Sequence, residues 1–255
     1  MSRHAPLATV AVVLLTGSAA AAGPQTAAGP QTAADPQVAA EQAEIERLRT
    51  DWAQLLRYRD ENRRLRPPSA ARPRVVFLGD SITESWGLAG PGLDRLEVLN
   101  RGIGGQTTPQ MLVRFRQDVV DLKPAVVHIL AGTNDLAGNT GPTTLEAIEN
   151  NLSSMVEIAQ ANHLRVVLGS VLPTLDYPWR RGLQPAPRIV ALNDWMRAYA
   201  KQHGLVYADY YSAVVDGRGA FKSDLADDGV HPNPAGYAAM SPIAHAALRQ
   251  ALAAH

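Results

Sequence analysis

Ser81 ends the run Gly79-Asp80-Ser81, and Asp228 and His231 stand three positions apart in Asp228-Gly229-Val230-His231. A serine hydroxyl is a weak nucleophile at neutral pH. It becomes reactive when an imidazole removes its proton and a carboxylate orients that imidazole. Two further motifs supply the other half of an acyl transfer. Attack on an ester carbonyl builds a negative oxygen, and donors aimed at it in advance are often the largest catalytic contribution. Gly105, in Gly102-Ile103-Gly104-Gly105-Gln106, offers a backbone N–H that a glycine lets approach a ligand closely. Asn134, in Gly132-Thr133-Asn134-Asp135, offers a side-chain amide that donates without a titratable charge.

Each motif alone has an ordinary explanation. Gly-Asp-Ser is a common turn, glycines often follow strands, and Asn-Asp pairs suit loops and helix caps. Their order and placement argue for chemistry, because each follows a segment that reads as a buried strand. The segment around Gly102 has threonine at Thr107, where a dinucleotide fingerprint needs glycine, and the chain has no phosphate-binding Gly-Lys-Ser/Thr loop. His128, His163, His203 and His245 are scattered at no metal-ligand spacing, which points to surface or core roles. Asp135 reads as a structural hydrogen-bonding residue rather than a second acid. No cofactor or metal is expected.

The elements that must hold these groups alternate. Strands are predicted at Val75–Leu78, Glu97–Leu99, Val126–Leu130, Arg165–Val171 and Leu205–Ala208, and helices at Pro109–Leu122, Thr143–Asn162, Ile189–His203 and Pro234–Ala253. Such alternation predicts a three-layer α/β/α sandwich with a central parallel sheet, flavodoxin-like in plan. Ligands in such folds bind at the carboxyl ends of the strands, where Ser81, Gly105 and Asn134 all fall. Asp228 and His231 lie on a Gly- and Pro-marked turn before the last helix.

With these motifs in this order the chain resembles the GDSL, or SGNH, hydrolase superfamily, from about Arg74 to the last helix. The resemblance implies a serine esterase with Ser81, His231 and Asp228 as its triad. It also implies Ser81, Gly105 and Asn134 as its oxyanion hole, with Gly105 chosen over the adjacent Gly104. The Gly-x-Ser-x-Gly elbow of the α/β-hydrolases is absent.

The 255 residues, 46% hydrophobic and of zero formal net charge, suit one globular domain with an appendage and give no reason to expect a nucleic-acid partner. The lack of cysteine excludes disulfides, a thiolate metal site, a cysteine nucleophile and a lipoprotein anchor. Residues 1–22 have the charged, apolar and small-residue regions of a signal peptide, which predicts a periplasmic or secreted protein without a stable membrane anchor. An uncleaved anchor is the alternative. Residues 23–40 repeat Gly-Pro-Gln-Thr-Ala-Ala with variations and read as a flexible leader. Residues 41–66 carry Ile45, Leu48, Trp52, Leu55 and Tyr58 at helical spacing, predicting an amphipathic helix packed outside the domain of residues 67–255 or held for a partner.

The expected function is an exported esterase removing short acyl groups such as acetyl, with a small-molecule or carbohydrate ester as substrate. The rivals are a lysophospholipid or platelet-activating-factor-type acylhydrolase, a thioesterase and an acyltransferase. A carbohydrate-binding module on a retired hydrolase fold is the rival without chemistry, though a retired site should have lost one of these groups. Trp86, Tyr177 and Trp179 are expected near the rim, to contact substrate or to anchor their loops. Composition gives no oligomeric state.

Overall fold

The computed structural model describes residues 36–88 and 93–253, so the expected signal and most of the leader lie outside the described residues. The chain divides into two units, Met1–Gln42 and Ala43–His255, and the second holds the sheet and all the motifs. In chain order the elements are α1 (Pro36–Thr50), α2 (Arg59–Arg64), β1 (Arg74–Gly79), α3 (Ser81–Glu84), β2 (Glu97–Gly102), α4 (Thr108–Asp118), β3 (Val126–Leu130), α5 (Thr133–Leu136), α6 (Leu145–Ala161), β4 (Arg165–Gly169), α7 (Ala186–Gln202), β5 (Val206–Ala208), α8 (Tyr210–Val214) and α9 (Pro234–Ala253). The strands form one parallel sheet in the order β2-β1-β3-β4-β5. This is the flavodoxin-type order.

The central strands are buried on both faces, which is why they read as continuous apolar runs rather than alternating ones. The side-chain period of two still sorts them. Val76 and Leu78 of β1 join Met111 and Phe115 of α4, Leu152 and Met155 of α6, and Leu192 and Met196 of α7. Val75 and Phe77 join Tyr210 and Val214 of α8 and Met240, Ala244 and Leu248 of α9. The three layers expected from the sequence are therefore present, with a hydrophobic core on each side of the sheet.

Boundaries differ where polar residues hide an element. The predicted β2 stops at Leu99, but the strand continues through Asn100, Arg101 and Gly102. Its edge position would strand a buried guanidinium there. Arg101 is instead held by Asn62 Oδ1 at 2.8 and 3.0 Å, by Glu61 at 2.9 Å and by the Tyr58 ring 4.6 Å from its Cζ. The predicted helix over Pro109–Leu122 ends at Asp118, and a 3₁₀ turn follows at Val120–Leu122.

The amino-terminal segment also departs from expectation. Helix α1 begins at Pro36, inside the expected leader, because proline is tolerated in a first helical turn. It stops at Thr50 rather than continuing towards Leu65, and Ile45 and Leu48 on it stay exposed. Packing comes from the stretch after it. Gln106, Gln110 and Gln117 donate side-chain amides to the carbonyls of Ala53, Trp52 and Leu55 at 2.8, 2.8 and 2.7 Å. Tyr58 is buried and its hydroxyl donates to the Gly102 carbonyl.

His128, in the middle of β3, stacks on Phe77 with ring centroids 4.5 Å apart and lies 2.7 Å from the Tyr210 hydroxyl through Nε2. Complete burial pushes its imidazole down to about 3. The unfolded value is about 6.5, so the fold favours the neutral ring; this stability is present above about pH 6.5 and is lost as pH falls towards 3. Thermal unfolding of His128→Gln, which keeps a group able to bond Tyr210, should therefore depend less on pH than wild type across that window. The difference should approach about 1.4 kcal/mol per pH unit. Parallel acid limbs would show that another group sets the loss.

Candidate active site

Strand β1 ends at Gly79, where an added Cβ would lie 2.1 Å from Thr83 Oγ1 and 2.7 Å from the Leu130 carbonyl oxygen. Only glycine lets the chain turn this tightly out of the sheet into α3. Asp80 caps that helix by accepting from Ile82 N–H at 2.9 Å. Burial pushes the Asp80 carboxyl up to about 7, against the Ile82 hydrogen bond, which favours the anion. Ser81 is the first residue of α3 and is partly exposed at the strand end.

Asp228 both folds the last turn and aims its imidazole. One carboxylate oxygen accepts from Val230 N–H at 2.9 Å and His231 N–H at 2.8 Å, and the other lies 2.7 Å from His231 Nδ1. Burial pushes the Asp228 carboxyl up, but the hydrogen bonds from the His231 ring and from the two N–H groups outweigh it and hold it below the usual value. An ionised carboxylate only accepts, so Nδ1 carries the proton and Nε2 is left as an acceptor. Ser81 Oγ lies 3.0 Å from that Nε2. A hydroxyl, an imidazole and a carboxylate thus stand in one hydrogen-bonded chain, able to pass a proton from oxygen to nitrogen.

The neighbouring loops separate the two glycines that the sequence leaves adjacent. Gly104 donates its N–H to Glu84 Oε2 at 2.8 Å, and Glu84 is in turn paired with Arg57 at 3.0 Å. Gly105 follows with φ +74°, a conformation suited to glycine. Asn134 is buried in α5. Its Nδ2 donates to the Gln106 carbonyl at 3.0 Å, while its Oδ1 accepts from Asn139 Nδ2 at 2.9 Å. The reverse amide orientation would set oxygen against oxygen, so the flip is fixed and one Nδ2 hydrogen remains for a ligand. Asp135 faces elsewhere: it accepts from Thr108 N–H at 3.0 and 3.1 Å and from Thr108 Oγ1 at 2.5 Å, bracing the start of α4. That is the structural role expected of it.

Of the three aromatics expected at the rim, one arrives. Trp86 is 4% exposed and Tyr177 fully buried, whereas Trp179 is 45% exposed. Trp86 packs among Phe77, His128, Tyr210 and Tyr237, so it is core rather than a substrate contact. Tyr177 lies in the core beneath Trp179, with ring centroids 5.2 Å apart. Trp179 leans towards the imidazole, its ring centroid 5.8 Å from that of His231. The scattered histidines stay apart: His128 is buried in the sheet, while His163 and His203 are exposed.

Sequence reasoning missed Gln106, Arg114 and Asn139. Arg114, fully buried, donates to the Gly79 carbonyl at 3.0 Å, to Gln106 Oε1 at 2.6 Å and to Asp118 at 3.2 Å. The signal was an Arg-x-x-x-Asp pair on the face of α4 that also carries Met111 and Phe115. Beside Gly105 opens a cavity of about 430 Å³ lined by Gln54, Gln106, Gln110, Asn139, Thr140, Trp179 and Arg180, together with Arg47 and Leu48.

Comparison with known proteins identifies the family. A GDSL-like lipase from Bacteroides thetaiotaomicron is 42% identical, with a TM-score of 0.72 over 79% of this chain and 98% of that one. The acetylxylan esterase of Geobacillus stearothermophilus is 26% identical over 64% of this chain and 88% of its own. The lipoprotein YqeF of Bacillus subtilis is 34% identical over 84 residues, and there the chain spans 35% of the relative's length. The GDSL-like lipase/acylhydrolase family profile matches residues 77–239, which contain all four motifs whole. With that match over most of the sheet and the site, the chain belongs to the GDSL-like lipase/acylhydrolase family, whose members are carboxylic ester hydrolases.

Proposed function

We propose that this protein is an exported serine esterase that removes short acyl groups from polar alcohols, carbohydrates among them, through an acyl-enzyme. The observation that carries the proposal is the continuous Ser81–His231–Asp228 chain at 3.0 and 2.7 Å. In this reading Ser81 Oγ attacks the ester carbonyl as His231 Nε2 takes its proton. Asp228 holds the tautomer and stabilises the imidazolium. The oxyanion is met by the N–H groups of Ser81 and Gly105 and the free Nδ2 hydrogen of Asn134. His231 then protonates the leaving alcohol, and water repeats the sequence on the acyl-enzyme.

The alcohol side rests on the cavity beside Gly105. Amide and hydroxyl side chains dominate its lining and an exposed tryptophan stands at its edge, a combination suited to a hydroxyl-rich ring and poorly suited to desolvating a long alkyl chain. The likeness to an acetylxylan esterase supports the same class. Export rests on the signal-like residues 1–22. Among the described residues no helix is long and apolar enough to cross a membrane.

Ser81→Ala should abolish both hydrolysis of nitrophenyl acetate and labelling by a fluorophosphonate while unfolding at the wild-type temperature; a surviving adduct would move the nucleophile elsewhere. Asp228→Asn should lose up to ~10⁴-fold in kcat because the amide imposes the wrong tautomer. Asn134→Ala should lower kcat by about 10²–10³ with KM little changed, as for a donor used mainly in the transition state. A series of nitrophenyl esters should favour acetyl and butyryl over longer chains, and acetylated xylan oligosaccharides should release acetate. A rate rising with chain length would refute the short-acyl reading.

A further inference from the structure

Two of the three proposed oxyanion donors, Gly105 and Asn134, follow different strands, β2 and β3, yet a single exposed carboxamide touches both. Asn139 Nδ2 donates to Asn134 Oδ1 at 2.9 Å and to the Gly105 carbonyl at 3.2 Å. Its Oδ1 accepts from Trp179 Nε1 at 3.1 Å, and its own backbone N–H donates to the Asn134 carbonyl at 3.0 Å. Both amide hydrogens thus meet carbonyl-type oxygens and the amide oxygen meets an N–H. Turning the group over would replace all three side-chain bonds with mismatches, so its orientation is determined.

We propose that Asn139 is the positioning residue of the oxyanion site, presetting Asn134 and Gly105 together, and that the Trp179 indole N–H holds Asn139 in that setting. The proposal rests on the reading of Asn134 and Gly105 as oxyanion donors. Asn134 is anchored at two atoms: Nδ2 by the Gln106 carbonyl and Oδ1 by Asn139. Without Asn139 the second anchor is gone, and the amide, held only by its bond to the Gln106 carbonyl, is free to rock about that bond and carry its remaining N–H away from the developing negative charge. On the other loop the Asn139 bond fixes the Gly105 carbonyl, at a residue whose left-handed backbone leaves it many alternatives. An exposed asparagine exchanges freely with water unless something holds it. The indole N–H does so from the loop after β4, where Arg180 NH1 also donates to the carbonyls of Ala137 and Gly138. Because the same indole ring leans on His231, the base and the oxyanion donors share one support.

Asn139→Ala, Asn139→Asp, Trp179→Phe and the double variant Asn139→Ala/Trp179→Phe should be compared on nitrophenyl acetate, with thermal unfolding as the folding control. Asn139→Ala should lower kcat ~10-fold with KM within about twofold of wild type. Asn139→Asp should fall further, because an ionised carboxylate cannot donate to Asn134 Oδ1 and adds negative charge beside the oxyanion. Its kcat relative to wild type should recover as pH falls and the carboxyl regains a proton, which a purely structural loss would not do. Trp179→Phe keeps the ring but deletes the N–H, and should cost ~3-fold in kcat on this small ester. The double variant should be no slower than Asn139→Ala alone, since both changes break one chain. Multiplying losses, a change confined to KM, or a pH-independent Asn139→Asp ratio would overturn the proposal. If Asn134→Ala itself leaves kcat intact, the oxyanion assignment fails instead; if it lowers kcat while Asn139→Ala does not, only the present inference falls.

Discussion

The arrangement depends on one buried positive charge. Arg114 is fully enclosed, and burial pulls its guanidinium down from the usual range even with Asp118 against it. A guanidinium in that position must have its donors matched, since losing one partner of a buried pair costs about 3–5 kcal/mol. Its partners are the end of the strand that leads into Ser81, the side chain that follows Gly105, and Asp118, which Asn62 of the amino-terminal segment approaches at 2.7 Å. Gln106 extends the constraint, accepting Asn134 Nδ2 on its carbonyl and donating to Ala53. Loops that would otherwise wander independently are tied to a group that cannot tolerate their leaving.

A second brace has the same logic. Asp135 is buried, and burial pushes its carboxyl up; the Thr108 N–H and hydroxyl offset that cost by bonding the anion. Asn151 donates to the same Thr108 hydroxyl at 3.0 Å, which links α6 to the start of α4. The residue beside the proposed oxyanion donor therefore fixes the loop after β3 to the helix after β2. Hydrophobic packing forms the layers, but the polar bonds decide where the strand ends point.

The motif residues were legible in the sequence because their chemistry is intrinsic: a hydroxyl, an imidazole and an amide keep their character wherever they stand. The layers were legible because apolar runs and helical spacing report burial directly. What escaped was anything decided by a distant partner. Asn100 and Arg101 look like a loop until Asn62, Glu61 and Tyr58 arrive to hold the guanidinium. Trp86 looks like a rim aromatic until Phe77 and Tyr210 close around it. Asn139 looks like turn composition between Gly138 and Thr140, since its bonds to Asn134 and Trp179 join three loops that no local pattern connects.

The contact between α4 and the amino-terminal stretch is made by glutamine side chains reaching main-chain carbonyls. Every residue has a carbonyl, so this grip is indifferent to which side chains the stretch carries at positions 52, 53 and 55. Arg47, Leu48 and Gln54 of the same region face the cavity beside Gly105. The side chains that face the cavity can therefore change by mutation while the attachment of the stretch to α4 endures, because the grip does not read them.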